Sequence, residues 1–131
     1  MIGLDTNVLV RYLTLDHPRQ TALAARVFDS LTTESPAFVS VVVIVELVWV
    51  LESSYGFGKD RITETLDVLL RSQELVVESS EAVRHALRRF VSSRADFADC
   101  LIERSGHAAE CQYTVTFDKK AAAVGMRLIA D

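Results

Sequence analysis

The chain predicts an α/β domain with a short-stranded, mainly parallel sheet and helices on its faces. Three observations carry that prediction. Short apolar runs of strand character alternate with longer stretches whose apolar residues recur at helical spacing. Acids follow two of the strand-like runs, Asp5 after Ile2-Gly3-Leu4 and Asp118 after Tyr113-Thr114-Val115-Thr116. Ligand chemistry gathers at such strand ends in open α/β sheets. A length of 131 residues suits one domain, here residues 1–131, with a single core.

Taken in order, residues 2–4 form a brief buried strand, and a helix starts near Val8 and runs to about Leu15. Between them stands Asp5, with Thr6 and Asn7 placed to hold its carboxylate by hydrogen bonds. Asp16-His17-Pro18 breaks the helix, and Pro18 suits the first position of the next one. Across residues 19–31, Ala22, Leu23, Ala25, Val27, Phe28 and Leu31 keep helical spacing. Residues 32–36 are a loop and 37–39 a strand, followed by Ser40 as a cap.

The run 41–54 favours strand by its β-branched content, yet Glu46, Leu47, Val50 and Leu51 suit a buried helix, and helix is assigned. Residues 55–58 are a glycine-containing turn. Residues 59–71 form an amphipathic helix with Ile62, Leu66, Leu69 and Leu70 on one side. A strand at 74–77 leads to Ser79 or Ser80, either of which is expected to cap a helix reaching Val91. Ser92-Ser93-Arg94 interrupts, and the next helix covers 95–109. A strand at 113–116, a helical turn at 119–124 ended by Gly125, and a last strand at 127–129 complete the chain, for about five strands.

Half the residues are hydrophobic and 24% are charged, which excludes a disordered chain. The net charge of −4 argues against a protein that simply coats nucleic acid. It is compatible with a nuclease, whose site must collect carboxylates to hold cations. Two cysteines, Cys100 and Cys111, offer neither zinc spacing nor a disulfide framework, and both are expected as buried, reduced thiols. The most apolar stretch, 38–51, is too short to span a bilayer and contains Ser40 and Glu46. The N-terminus reaches Asp5 without a basic region and a cleavage site, so no signal peptide is expected. A soluble cytoplasmic protein with no membrane partner is the expectation.

Five acids stand out. Glu46 lies in Val43-Ile44-Val45-Glu46-Leu47-Val48-Trp49 with no polar neighbour for several residues on either side. A carboxylate there must face solvent or find a partner, because burying it alone costs several kcal/mol or forces protonation. Asp96 and Asp99 share the run Ala95-Asp96-Phe97-Ala98-Asp99-Cys100-Leu101-Ile102, three residues apart and so on one helical face. Each acid also has an ordinary structural explanation: Asp5 and Asp118 as caps, Asp96 at a helix start, Glu46 on an exposed face. Taken together, these would be four coincidences, where a shared site is one. Clustered carboxylates repel unless a cation sits among them, and an all-oxygen set suits Mg²⁺ or Mn²⁺. One or two such ions beside a phosphodiester mean metal-assisted hydrolysis.

On these residues the chain resembles PIN-domain proteins and, within that family, the VapC toxins of bacterial and archaeal toxin–antitoxin pairs. The likeness rests on Leu4-Asp5-Thr6-Asn7-Val8-Leu9, the run from Ser40 to Leu51 with Glu46, the Asp96 to Ile102 run, and Thr116-Phe117-Asp118-Lys119-Lys120, in this order and at this length. The resemblance implies an α/β/α sandwich, a divalent-metal site and metal-dependent endoribonuclease activity on RNA. It also implies a homodimer and a small antitoxin that blocks the site. Carried over, Asp5, Glu46, Asp99 and Asp118 match the family's acidic quartet, catalytic and metal-holding. Asp96 matches a further acid, reaching metal through water or standing behind the ligands. Asn7 and Thr116 match the polar residues that support them. Cys100 stands where the family commonly has Ala, a change of packing and not of chemistry. Arg94, Lys119 and Lys120, beside these acids, are candidates for RNA phosphates, and Arg84, Arg88 and Arg89 form a second basic group.

Tyr12, Phe28, Trp49 and Phe57, with the apolar residues of the early helices, lead us to expect an apolar groove that takes an antitoxin helix. Rival classes fit less well. A phosphoacceptor receiver domain has no place for the mid-helix Glu46. A haloacid-dehalogenase-type phosphatase wants a second Asp where Asn7 stands. A non-catalytic interaction module of the same fold, or a nuclease with a housekeeping RNA-processing role, is the alternative to a toxin.

Overall fold

Capping residues decide where the elements of this chain begin and end. In the computed structural model, which describes residues 1–130, the backbone divides into two compact units, Met1–Glu78 and a second from Ser79 onward.

The first unit runs β1 (Ile2–Gly3), α1 (Thr6–Thr14), α2 (Pro18–Asp29), β2 (Ala37–Val39), α3 (Val41–Tyr55), α4 (Lys59–Arg71) and β3 (Leu75–Val77). Its strands lie in the order β1-β2-β3, all parallel, with Ile2 opposite Ala37 and Ala37 opposite Leu75. Helix α1 starts two residues before the expected Val8. Asp5 is its N-cap in extended backbone, so Thr6 and Asn7 belong to the first helical turn and not to a linker. Pro18 opens α2 at its first position, and the Nδ1 of His17 accepts from the Gln20 N–H at 3.2 Å.

The strand-like run 41–54 is a helix because both ends are fixed. Ser40 Oγ accepts from the Val43 N–H at 3.2 Å, and Gly56 takes the left-handed conformation (φ 67°) that ends α3. Val43, Ile44, Leu47, Val48 and Leu51 are buried at three- and four-residue spacing. Helix α1 packs on α2 and on α3, and α4 packs on α3 and β3. Two of the aromatics linked to a groove behave differently from the expectation. Trp49 points outward and is 67% exposed, and Phe57 lies under the Arg61 guanidinium, 3.7 Å from its ring centre. Tyr12 and Phe28 do meet, stacked at 3.9 Å.

The second unit holds α5 (Ser80–Ser92), α6 (Phe97–Ala108), β4 (Val115–Thr116), α7 (Lys119–Ala122) and β5 (Arg127–Leu128). Val83, Ala86, Leu87 and Phe90 of α5 are buried, as are Phe97, Cys100 and Leu101 of α6, and the two helices pack together. Phe90 and Phe97 meet edge to face, 5.9 Å between ring centres. Strands β4 and β5 pair in parallel, Val115 opposite Arg127.

Three expectations need correction here. Neither Ser79 nor Ser80 caps α5 through its side chain: Ser79 holds the N-cap position at φ 52°, a conformation in which no side-chain cap bond forms. Helix α6 begins at Phe97 and not at Ala95, because Asp96 is extended and is itself the N-cap. Cys100 is buried as expected, but Cys111, after the left-handed Glu110, is exposed; both thiols are free.

The chain is thus α/β, with short parallel strands and flanking helices, as its alternating pattern predicts. Pairings among the described residues form one three-stranded and one two-stranded sheet. No helix among these residues is long and apolar enough to cross a membrane.

Burial divides the residues of α3 sharply. Leu47→Ala should cost about 2–5 kcal/mol, whereas Trp49→Ala should stay within about 0.5 kcal/mol, as read from urea denaturation midpoints.

Candidate functional site

In the first unit the candidate acids are reached from two helices. Asp5 leaves the end of β1 and caps α1; its Oδ1 accepts from the Thr6 N–H at 2.9 Å. That bond to the adjacent amide fixes the carboxylate while leaving its second oxygen uncommitted by any capping bond. Thr6 is buried, and its Oγ1 donates to Glu46 Oε1 at 2.7 Å across 40 residues of sequence. Glu46 has solvent on one side and a hydroxyl donor on the other, so the apolar run around it buries no unpaired charge. Asp5, Thr6 and Glu46 form one group joined through the start of α1.

Asn7 is exposed and makes no hydrogen bond to Asp5; it lines a groove between α1 and α2. This groove, of about 370 Å³, continues along Val8, Arg11, Leu23, Ala24 and Val27. Across this lining Arg11 Nε donates to Gln20 Oε1 at 2.6 Å. A second hollow, of about 250 Å³, is lined by Tyr12, Phe28, Leu31, Val68 and Leu75 among others.

In the second unit Asp96 caps α6 by position but makes no side-chain cap bond, and Asp99 sits in the first turn, half-buried. Burial pushes the Asp99 carboxyl above the usual aspartate range, and the negative charges of Asp96 and Asp118 push it further in the same direction. Asp96 and Asp118 therefore both act on Asp99. Asp118 follows β4, and its backbone N–H donates to Thr116 Oγ1 at 3.0 Å. Its Oδ1 accepts from the Lys120 N–H at 2.9 Å. Thr116 thus steadies the turn that presents Asp118. Arg94, Lys119 and Lys120 are exposed.

Oxygen-only donors of this kind fit a hard divalent cation, and the raised Asp99 carboxyl reflects burial first and the neighbouring negative charges second. Among the described residues, no three or more His, Cys, Asp or Glu side chains gather into a cation cradle.

One charged cluster went unnoticed in the sequence. Glu103, buried, accepts from Arg104 Nε at 2.6 Å and Nη2 at 2.9 Å, and Arg89 Nη1 lies 3.2 Å from the same carboxylate. Arg89 also donates to the Val124 carbonyl. The only sequence signal was an acid four residues past Asp99 on the same helix, directly before an arginine. Gly125 takes a backbone conformation (φ 112°) that favours glycine, and a Cβ there would stand 2.9 Å from Arg89 Nη1, so that the guanidinium would have to shift.

With the fold and these acids in place, comparison with known proteins assigns the class. The PIN domain family model matches residues 2–126, and the chain belongs to the PIN domain family. Among curated relatives it is similar to the VapC ribonuclease of Aquifex aeolicus (strain VF5), at 25% identity over 127 residues, which cover 96% of this chain and 93% of the relative. Among solved structures it aligns over 100% of both chains with VapC20 of Mycobacterium tuberculosis, a sarcin-ricin loop cleaving toxin, at 17% identity and a TM-score of 0.48.

The Glu103 cluster sets a pH dependence. Hydrogen bonds from Arg104, and then the charges of Arg104 and Arg89, hold the Glu103 carboxyl below the usual glutamate range against the opposing effect of burial. A depressed folded-state pKa contributes stability that is present above the unfolded-state value and lost as the pH falls through the folded one. Glu103→Gln should therefore destabilise the protein by roughly 1.5–3 kcal/mol at neutral pH. The gap to wild type should close in acid, below the ordinary glutamate range, as followed by thermal melts across pH.

Proposed function

We propose that this chain is a metal-dependent endoribonuclease, the toxin of a type II toxin–antitoxin pair, which hydrolyses RNA phosphodiester bonds with Asp5, Glu46, Asp99 and Asp118. The observation that carries the proposal is the preparation of these acids. Thr6 holds Glu46 beside the start of α1, and Asp99 is raised by burial and by Asp96 and Asp118. Membership of the PIN domain family and similarity to a VapC ribonuclease support it.

Asp5, Glu46, Asp99 and Asp118 would hold Mg²⁺ or Mn²⁺, one or two ions, with Asp96 behind them or joined through water. Bound there, such a cation neutralises charge developing on a phosphodiester and lowers the pKa of a nearby water. The chain's own residues do the positioning. Thr6 fixes one oxygen of Glu46, the Thr6 amide fixes one oxygen of Asp5, and Thr116 shapes the turn before Asp118. Asn7 would support the acids of the first unit, and Arg94, Lys119 and Lys120 would meet RNA phosphates.

The partners follow from the same surfaces. A small antitoxin would lay an amphipathic helix in the α1–α2 groove, whose apolar lining is Val8, Leu23, Ala24 and Val27. Asn7, two residues from Asp5, lies in that lining, so a basic antitoxin side chain could continue from the groove to the carboxylates and block them. The toxin would act in the cytoplasm as a homodimer or a toxin–antitoxin hetero-oligomer.

Purified chain should cleave labelled single-stranded RNA with millimolar Mg²⁺ or Mn²⁺ and stop when the metal is chelated. Asp5→Asn or Asp99→Asn should each lower the rate by about 100-fold or more. Thr6→Val, which removes the donor to Glu46, should cost about 10–100-fold. Folded wild-type protein without metal-dependent cleavage would leave the non-catalytic interaction module as the better reading. Metal should also raise the melting temperature of the wild type by mass action.

A further inference from the structure

Charge is unevenly divided along the chain. Residues 1–78 carry six Lys and Arg against eleven Asp and Glu, a net −5, whereas residues 79–131 carry eight against seven, a net +1. A polyanion approaching this acidic protein is drawn to the second unit. There, side chains of α5 and α6 line a hollow of about 400 Å³ made of His85, Arg88, Arg89 and Arg104.

Glu103 organises it. One carboxylate serves two guanidiniums, Arg104 through both oxygens and Arg89 through Oε1. The pair of arginines therefore keeps one uncompensated positive charge. Exposed Arg88 adds a second, and His85, 3.8 Å from Glu81, completes the lining. Arg104 and Arg89 are held before any ligand arrives, so little ordering cost remains for binding. Guanidinium forks match phosphate oxygens in pairs, and such charge-assisted bonds are among the stronger ones. Glu103 lies four residues beyond Asp99 on α6, about 6 Å along the helix axis. A strand gripped in the hollow thus has its neighbouring phosphates within reach of Asp99.

We infer that the hollow of His85, Arg88, Arg89 and Arg104 is a phosphate-binding site that grips the sugar–phosphate backbone of RNA and sets the strand's register relative to Asp99. It rests on the ribonuclease reading above. Successive phosphates of one strand engage Arg88 and the Arg89–Arg104 pair together. An acidic protein would have to match that spacing with separate side chains.

The test is binding of a labelled, mixed-sequence single-stranded RNA by fluorescence anisotropy in EDTA, across a salt series, with wild type, Arg88→Gln, Arg88→Lys and Arg19→Gln. Arg88 and Arg19 are both exposed, and thermal melts check that every variant is folded. Arg88→Gln should weaken binding about 3–10-fold on unrelated sequences and flatten the log K against log salt slope by about 0.7. Arg88→Lys should restore the slope, and Arg19→Gln in the first unit should change nothing. Cleavage of the same RNA by wild type with Mg²⁺ is measured in parallel. If wild type cleaves and binds but Arg88→Gln keeps its affinity and slope, the hollow is not the site and the ribonuclease reading stands. If wild type neither binds nor cleaves, the ribonuclease reading fails and the inference falls with it. Unchanged RNA binding with loss of an acidic protein partner would assign the hollow to that partner and overturn the inference.

Discussion

Asp5, Asp96 and Asp118 stand at the N-caps of α1, α6 and α7, and Asp99 lies one turn inside α6. The amides at a helix start favour negative charge, so these are natural positions for acidic side chains. In the second unit, burial raises the Asp99 carboxyl above the usual aspartate range, and the negative charges of Asp96 and Asp118 raise it further. Nearly every polar contact of the candidate acids answers this one constraint, that several carboxylates must be held on a small protein without being neutralised by a cationic side chain. Thr6 gives Glu46 a hydroxyl donor, the Thr6 amide serves Asp5, and the Lys120 amide serves Asp118. Acids held by neutral donors remain free to neutralise a cation. An arginine in the same position would have consumed that capacity.

Glu103 shows the contrasting solution. Its carboxylate is taken up by Arg104 and Arg89, and its pKa falls where that of Asp99 rises, though both belong to α6. The difference is one of partners. Arg89 comes from α5 and reaches Glu103 beside Gly125, whose missing side chain leaves room for it. The same arrangement ties α5, α6 and the segment before β5 together and leaves the positive surplus that faces the hollow.

Much of this could be read from the residues before any coordinates. Ser40 and Gly56 bracket α3, Pro18 opens α2 and Lys59–Arg71 is the helix its apolar spacing describes, because caps and helical periodicity are local physics. The acids Asp5, Glu46, Asp99 and Asp118 were visible for the same reason, each standing in a setting where a charge is costly or a strand ends. What was not legible depends on partners distant in sequence. Strands of two or three residues carry no period from which to read pairing or order. Ser79 looked like a cap, but its positive φ turns the side chain from that role. The bond from Thr6 to Glu46 and the Arg89–Glu103–Arg104 cluster join residues brought together only by packing. Trp49, in the most apolar run of the chain, faces outward because α3 has one buried face and this residue lies on the other.

The central proposal is that Asp5, Glu46, Asp99 and Asp118 serve a divalent-metal site. A crystal of the full chain soaked in Mn²⁺, with the ion located by its anomalous scattering, tests this most directly. The account predicts Mn²⁺ with oxygen ligands from Asp5 and from Asp99 or Asp118, at about 2.0–2.6 Å. An ion held without Asp5, or no ion near Asp99 at millimolar Mn²⁺, would contradict it.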